Sequence, residues 1–307
     1  MSATKLSVIL PVYNGMPFIK ESIASLLNQT YQNFIVYVID NGSDDGTSDY
    51  LNQINESRIN YVRLEEKNLI KALNTGLELA KTPIIARMDA DDLIHPSKFE
   101  KQLSYFEREK DVDLIGTLGC YISSDGKKKF DINLPLTHDD IINTMLKTRN
   151  AIIHPSIMFR SEITALSGGY NENYSDCEDF ELFLRIGNKI KFANLPERLH
   201  SMRIRDGSIM TNEVKKRIKQ YYFVSKLYAH KYCNHHIVVK QPKNFHLNLF
   251  EKLDVLSISI YRKGLYYYLN VSLVIGVFNF IIASLLNPFR LIQALKSRMT
   301  IKKLKGD

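Results

Sequence analysis

Across residues 7–92, short apolar runs alternate with helical patterns, and most of the runs end in a polar cluster. That alternation constrains the fold more than any other feature of the chain. Ser7-Val8-Ile9-Leu10, stopping at Pro11, reads as a buried strand. Ile19, Ile23, Leu26 and Leu27 then recur at helical spacing. Phe34 to Ile39 is β-branched and aromatic, a second strand, and it runs into the turn-forming segment Asp40-Asn41-Gly42-Ser43-Asp44-Asp45-Gly46-Thr47, where a loop and a helix start are expected. Ile59 to Leu64 is a third strand, and Leu69, Leu73, Leu77 and Ala80 mark a second long helix. Pro83 to Met88 is a fourth strand, closed by Asp89-Ala90-Asp91-Asp92. Such a succession builds βαβ units and an α/β fold with a mainly parallel, Rossmann-type sheet flanked by helices. Ligands of these sheets bind beyond the carboxyl ends of the strands. The Pro11–Asn14 segment, the Asp40 loop and the Asp89 cluster are therefore expected along one edge.

Charge divides the chain. From Lys215 onward 17 Lys/Arg stand against 3 Asp/Glu, a net of +14, while residues 1–214 hold 24 against 30, a net of −6. An acidic body, 1–214, thus carries a basic, helical extension, 215–307, suited to an anionic partner: nucleic acid or an anionic membrane surface. Gly264 to Phe289 is 26 residues without a charge, long enough to cross a bilayer. Both flanks, Arg262-Lys263 and Arg290, are basic and select no orientation, and Asn270, Asn279 and Asn287 interrupt the run. Leu291, Leu295, Met299 and Ile301 are spaced among five Lys/Arg up to Lys305, an amphipathic basic helix for a membrane surface. The extension has no helix-turn-helix or zinc-finger pattern, so no nucleic-acid partner is expected and the membrane is preferred. Cys120, Cys177 and Cys233 are far apart and form no C-x-x-C pair, which argues against a disulfide scaffold or zinc ribbon and fits a reducing compartment. The apolar stretch Leu6–Val12 is too short for a signal peptide.

Asp89-Ala90-Asp91-Asp92 carries the sharpest chemistry. Carboxylates gathered at a strand end repel one another unless a cation sits among them, and Mg²⁺ or Mn²⁺ takes one or two carboxylates while leaving sites for phosphate. Alone, the segment also reads as a solvated loop capping the helix around Pro96–Phe106. Pro11-Val12-Tyr13-Asn14-Gly15 and the Asp40 loop are turns when taken singly; together they offer an aromatic ring, a carboxylate and an amide for a base and its ribose. Neither contains the glycine pattern of a dinucleotide or P-loop site. Glu178-Asp179 can be a helix start favoured by the macrodipole. His154, next to Pro155 in an apolar run, reads as a core or loop histidine, His235-His236 as surface, and Asp125-Gly126-Lys127-Lys128-Lys129 as a hairpin turn.

In order and spacing, Pro11–Gly15, Asp40–Thr47, Ala86-Arg87-Met88-Asp89-Ala90-Asp91-Asp92 and Glu178-Asp179-Phe180-Glu181-Leu182-Phe183-Leu184-Arg185 resemble the successive motifs of family-two glycosyltransferases with the GT-A fold. His154–Arg160 and Gly168-Gly169-Tyr170 resemble the family's middle region, and the likeness spans about residues 5–210. The resemblance implies an inverting, metal-dependent transfer of a hexose from a nucleoside-diphosphate sugar, UDP preferred, to a saccharide or lipid-linked acceptor in cell-surface polysaccharide or lipopolysaccharide synthesis. It implies that Pro11 and Tyr13 line the base pocket, that Asp40 and Asn41 contact base or ribose, and that Asp89 and Asp91 are the outer positions of a D-x-D motif. Asp91 is then the direct ligand of Mn²⁺ or Mg²⁺, Asp89 touches ribose or a metal-bound water, and Asp179 is the general base. Taken with the extension, it implies a place at the cytoplasmic face of the cell membrane, peripheral or monotopic through residues 264–305.

The chain departs from the family pattern in three places. Asn41 stands where a second Asp is common, Leu69 where Gly is common after Asn68, and Arg203-Ile204-Arg205 where Arg-x-His is common. Arg205 cannot ligate a metal but can pair with a phosphate. Two alternatives stand beside the transferase: a catalytically impaired nucleotide-sugar-binding protein of the same fold, kept open by Arg205, and a nucleotidyltransferase, which would need a basic triphosphate-gripping loop that residues 1–110 do not show.

Overall fold

The computed structural model describes residues 4–205, 214–232 and 247–288. Its first strand, β1 (Leu6–Val12), is buried at every position. Val8, Leu10 and Val12 join one hydrophobic cluster and Ile9 the other, so the period of two along this strand alone requires cover on both faces of the sheet. The chain continues through α1 (Ile19–Leu27), β2 (Phe34–Asp40), α2 (Thr47–Asn52), β3 (Ile59–Arg63), α3 (Leu69–Leu79) and β4 (Ile84–Arg87). These four strands are parallel in the order β3-β2-β1-β4, as the alternation predicts. The first strand was expected to stop at Pro11 but runs on to Val12. The ladder with β4 ends where the Ile9 carbonyl accepts from the Met88 N–H, so Pro11, two residues further, needs no donor on that side.

The second half of the sheet is mixed. It comprises β5 (Leu93–Ile94), α4 (Lys98–Arg108), β6 (Leu114–Ile122), β7 (Lys129–Ile132), α5 (His138–Leu146), β8 (Met158–Arg160), α6 (Glu162–Ser167), α7 (Glu178–Ile186) and β9 (Phe192–Arg203). β8 joins antiparallel to β4, and the order runs on through β6 and β9 to β5. The turn at Gly126 (φ +74°) closes the expected β6–β7 hairpin. Residues of α1, α2 and α4 cover one face, and those of α3, α5, α6 and α7 the other. α3 can lie close to β1 only because residue 76 is glycine: a Cβ there would stand 2.4 Å from Ile9 Cγ2.

The C-terminal region adds α8 (Val214–Tyr232), α9 (Leu249–Asn270) and α10 (Leu273–Leu286). Tyr221, Val224 and Tyr228 of α8 lie in the same buried cluster as α7, so packing continues across the change of composition at Lys215. The 26-residue uncharged span is not one helix. α9 ends at Val271, Ser272 caps α10 by accepting from the Ile275 N–H, and the two helices form a hairpin. Gly276 sits against the Tyr268 backbone and Gly264 against Phe280, which brings the helix axes close. No helix among the described residues is long and apolar enough to cross a membrane. The amphipathic pattern at Leu291–Lys305, Arg290 and His235-His236 lie outside the described residues.

Replacing Gly76 by Ala is expected to cost about 1–3 kcal/mol by overpacking against Ile9, read as a lower urea midpoint. The double variant Gly76→Ala/Ile9→Ala should be more stable than the sum of the two single losses, because Ile9→Ala removes the methyl that the new Cβ meets.

Candidate functional site

The loops after β1 and β2 are laced together at the sheet edge. Asn14 N–H donates to Ser43 Oγ (3.0 Å), Asn14 Nδ2 to Asp44 (2.8 Å), Gly15 N–H to Thr47 Oγ1 (2.9 Å) and Met16 N–H to Asp45 (2.9 Å). Asp40 is the pillar of this corner. Its carboxylate is fully buried and accepts from Ser43 N–H (2.9 Å), Ser48 Oγ (2.5 Å), Tyr61 Oη (3.0 Å) and Arg63 Nη1 (3.1 Å). Burial pushes its pKa up, but the hydrogen bonds from Ser43, Ser48 and Tyr61 together outweigh it and hold the carboxyl below its ordinary value. Asn41, buried beside it, accepts from the Asn68 N–H (2.7 Å), and Asn68 in turn caps α3. Pro11 is buried at the foot of the corner and Tyr13 half-buried at its rim, where Lys67 Nζ lies 3.9 Å from the ring centroid.

The acidic cluster after β4 splits into three roles. Asp92 is buried and takes no outward position: it accepts from the Arg203 N–H (2.9 Å) and pairs with His200 Nε2 (2.7 Å), tying the cluster to β9. Burial drives His200 well below its ordinary pKa, so its ring is neutral, and burial with the charge of Asp91 raises Asp92 well above the ordinary carboxylate value. Arg203 fastens the neighbourhood, donating to Asp91 O, Ser124 O and Glu21 while stacking on Phe18. Beneath, Lys98 is fully buried, and burial pushes its amine down to about 7 against the pull of Asp92.

Asp89 and Asp91 remain partly open, with 34% and 21% of their side chains exposed. Each is paired with an arginine: Asp89 with Arg87 Nη2 (2.6 Å) and Asp91 with Arg205 Nε (2.9 Å). Burial, together with repulsion from Asp92 and Asp91, pushes Asp89 up to about 6 in spite of Arg87, a crowding of negative charge that a cation would relieve. No group of three or more His, Cys, Asp or Glu among the described residues is arranged to hold a metal unaided. The donor set on hand is two carboxylates, which fits a hard divalent cation whose other sites are filled by a bound diphosphate.

Glu178 and Asp179 open α7. Asn150 Nδ2 donates to Asp179 (2.9 Å), as does the Phe180 N–H (2.7 Å). Burial and the charge of Asp179 push Glu178 up to about 8; burial also raises Asp179, opposed by those two hydrogen bonds and by Arg217 and Arg87. Of the two carboxylates, Asp179 is the one held by a side-chain amide and a backbone N–H, which favour its ionised form. Arg87 spans the gap: its guanidinium is paired with Asp89, interacts with Glu178, and leaves Nε and Nη1 buried without a hydrogen-bond partner among the described residues. The Asp89–Asp91 and Glu178–Asp179 groups thus share one neighbourhood. Arg205, Asp91 and Phe18 stand together at its outer wall.

Sequence reasoning singled out the carboxylates but missed Asn150, Lys67, and Arg87 as the bridge between the two acidic pairs. Arg87 lies inside a quoted motif, yet only the sheet pairing of β4 turns it toward α7; Asn150 carries no local signal. His154 is a core histidine, bonded to Tyr170 Oη (2.8 Å) and held neutral by burial.

A family model described as glycosyl transferase family 2 matches residues 7–166. The O-antigen biosynthesis glycosyltransferase WbnJ of Escherichia coli is 33% identical over 211 residues, covering 66% of this chain and 81% of that protein. Among solved structures, S. aureus TarS 1-349 in complex with UDP-GlcNAc matches with a TM-score of 0.59 at 16% identity, over 94% of this chain and 92% of that one. Mannosyltransferase PcManGT from Pyrobaculum calidifontis in complex with GDP-Man and Mn²⁺ matches with a TM-score of 0.59 at 18% identity, over 98% and 86%. The shared architecture is the GT-A fold.

Asp40→Ala is expected to destabilise the protein by about 1–3 kcal/mol near pH 7, because the buried Ser43 N–H and its neighbours lose their acceptor. The lowered pKa sets the sign of the pH dependence. The contribution of Asp40 is complete above the ordinary carboxylate range near 4 and is lost as pH falls through its lower folded value. Urea unfolding from pH 7 to 3 should therefore show a shallower acid loss in Asp40→Ala than in the unsubstituted protein.

Proposed function

The chain belongs to glycosyl transferase family 2, and from that premise we propose that the sheet-edge site transfers a hexose from a nucleoside-diphosphate sugar, UDP preferred, to a hydroxyl of a saccharide or lipid-linked acceptor in cell-surface polysaccharide or lipopolysaccharide assembly, inverting the anomeric carbon. The observation that carries this reading is Arg87, which is paired with Asp89 and lies in the field of Glu178, linking the Asp89–Asp91 pair to the Glu178–Asp179 pair. A donor diphosphate beside the first pair and an acceptor hydroxyl beside the second would meet there. The polysaccharide assignment leans on WbnJ, and the donor class on the ligands of TarS and PcManGT.

In this mechanism Pro11 and Tyr13 receive the base. The Asp40–Asn41 corner holds the ribose side, with Asp40 acting through the loop it fixes, since its own carboxylate is committed to protein donors. Asp91, with Asp89, would hold Mn²⁺ or Mg²⁺, which neutralises charge on the leaving diphosphate. Arg205 exchanges its pairing with Asp91 for a phosphate oxygen and so stabilises the same developing charge from the protein side. Asp179, oriented by Asn150, takes the proton of the acceptor hydroxyl as that oxygen attacks the anomeric carbon.

The C-terminal hairpin supports a seat on the cytoplasmic membrane surface. α10 has no charged residue and turns Leu273, Val274, Ile275, Val277, Phe278, Ile281 and Leu285 outward. An outward apolar face of this kind, beside a strongly basic region, fits the interface of an anionic bilayer. The hairpin also touches the catalytic edge: Asn270 bonds to Ile204 O (3.0 Å) and accepts from the Ser124 N–H (2.8 Å). A lipid-linked acceptor would then arrive near the cleft.

Asp91→Ala and Asp179→Asn should each lower transfer by at least about 10²-fold with thermal unfolding little changed. Incubation with a panel of UDP-, GDP- and dTDP-sugars and Mn²⁺, scored by released nucleotide, should give free nucleoside diphosphate. Pyrophosphate would indicate nucleotidyl transfer, and Mn²⁺-dependent nucleotide binding without transfer a binding protein. Undiminished turnover in Asp179→Asn would remove that residue from the base role.

Full-length protein should float with vesicles containing anionic phospholipid, and Phe278→Glu/Ile281→Glu should float markedly less. Equal flotation of both, or none of either, would overturn the assignment of α10 to the membrane.

A further inference from the structure

α8 lies outside the sheet and outside the family-model match, yet its inner face is spent on the start of α7. Lys216 pairs with Asp176 (2.7 Å) and Gln220 donates to the same carboxylate (3.3 Å). Tyr221 stacks on Phe180 with ring centroids 4.3 Å apart. Tyr228 donates to the fully buried Glu181 (2.6 Å), and Tyr232 to Leu184 O (2.9 Å). These contacts fix the rotation and height of α8 against the helix that carries Glu178 and Asp179. Arg217 lies one turn before Tyr221 on that inner face, is only 7% exposed, and interacts with both carboxylates.

We propose that Arg217 is a positioning residue for the transfer reaction: its buried guanidinium, delivered by α8, faces the Glu178–Asp179 pair and keeps Asp179 in the ionised form that accepts the proton of the acceptor hydroxyl. This rests on Asp179 as the base, the reading given above.

The electrostatics of the pocket explain why one more cation is needed there. Asp179 is faced by Glu178 on its own helix, by Tyr170 and Cys177 from the preceding segment, by Tyr221 and Arg217 from α8, and by Arg87 from β4, with the neutral Asn150 bonded to it. Asp176 adds a further negative charge nearby, but Lys216 already pairs with it. Of the two arginines, Arg87 is tied to Asp89 at 2.6 Å and divides its charge between both acidic pairs. Arg217 serves the Glu178–Asp179 side. Desolvation and mutual repulsion both oppose ionisation of two carboxylates adjacent in sequence, one buried and one half-buried, and a facing cation offsets them. A base that is protonated in the resting protein loses its function, so the guanidinium would govern the fraction of molecules able to react.

The test compares the unsubstituted protein with Arg217→Met, Arg217→Lys and Lys216→Met in the pH dependence of kcat, with nucleotide binding and thermal unfolding recorded alongside. In Arg217→Met the acid limb should move to higher pH by about one unit or more, because loss of the cation raises the pKa of the base. Below that limb, activity should be depressed about tenfold relative to the unsubstituted protein at the same pH and recover as pH rises above it, while UDP affinity in the presence of Mn²⁺ stays the same. Arg217→Lys should restore most of the original profile, and Lys216→Met, which breaks only the contact to Asp176, should leave it in place. An unshifted acid limb in a folded Arg217→Met protein overturns the proposal, as does a uniform loss of activity at every pH. Should Arg217→Met not fold, the neutral Arg217→Gln decides on the same terms: a raised acid limb supports the proposal, and an unshifted one or a pH-independent loss overturns it. Failure of the base assignment itself shows separately, as full activity in Asp179→Asn.

Discussion

The site depends on keeping five carboxylates together at one edge of a sheet. Asp89, Asp91, Asp92, Glu178 and Asp179 come from two segments about ninety residues apart in the chain, and their mutual repulsion would scatter them in a bare loop. Each is held by a different device. Asp92 is hydrogen-bonded inward to His200 and the Arg203 backbone, Asp91 is paired with Arg205 and Asp89 with Arg87, Asp179 takes its hydrogen bonds from Asn150 and its own helix start, and Glu178 lies in the field of Arg87 and Arg217. Arg87 can serve both groups because β4 ends beside the N-terminus of α7, with two of its nitrogens still unbonded. The burial of these charges costs stability, and the return is a set of carboxylates whose protonation and reach are defined before any ligand arrives.

The parallel half of the sheet was legible because its information is local. Each strand is a short apolar run, and each ends in residues whose turn chemistry announces the edge, as at Asp40–Thr47 and Asp89–Asp92. The second half was less legible because its pairings are set by long-range packing. β5 is two residues long, and β9 passes an irregularity at Leu118 on its partner strand, features without a periodic signature. The split of the D-A-D-D segment is the sharpest instance. Residue spacing makes Asp91 and Asp92 equivalent, and only the arrival of His200 and Arg203 from β9 turns Asp92 inward and leaves Asp91 at the cleft.

The C-terminal region shows the same limit from the other side. Its composition correctly marked helices and an apolar run, but a run of 26 uncharged residues does not reveal that Ser272 starts a new helix within it. The cap and the close approach at Gly264 and Gly276 divide that run between two packed helices, and no helix among the described residues is long and apolar enough to cross a bilayer. Likewise, the jump in basic charge at Lys215 reads as a domain edge, whereas Tyr221, Val224 and Tyr228 carry the hydrophobic core across it.

These two facts together change how the extension relates to the chemistry. α8 packs on the helix of Glu178 and Asp179, and it is joined to the hairpin by Tyr222 Oη donating to Asp254 (2.6 Å) and by Lys226 pairing with Glu251 (2.6 Å). The hairpin in turn rests on Ile204, next to Arg205 and its partner Asp91. The C-terminal helices are therefore joined to the neighbours of both acidic groups, α8 to the helix of Glu178 and Asp179 and the hairpin to Ile204 beside Arg205. A tether of purely anchoring function would need neither contact. Their presence means that the surface which would meet a lipid and the edge which would handle a donor are parts of one packed unit. An acceptor approaching along α10 would then meet the cleft in a fixed orientation rather than at the end of a flexible leash.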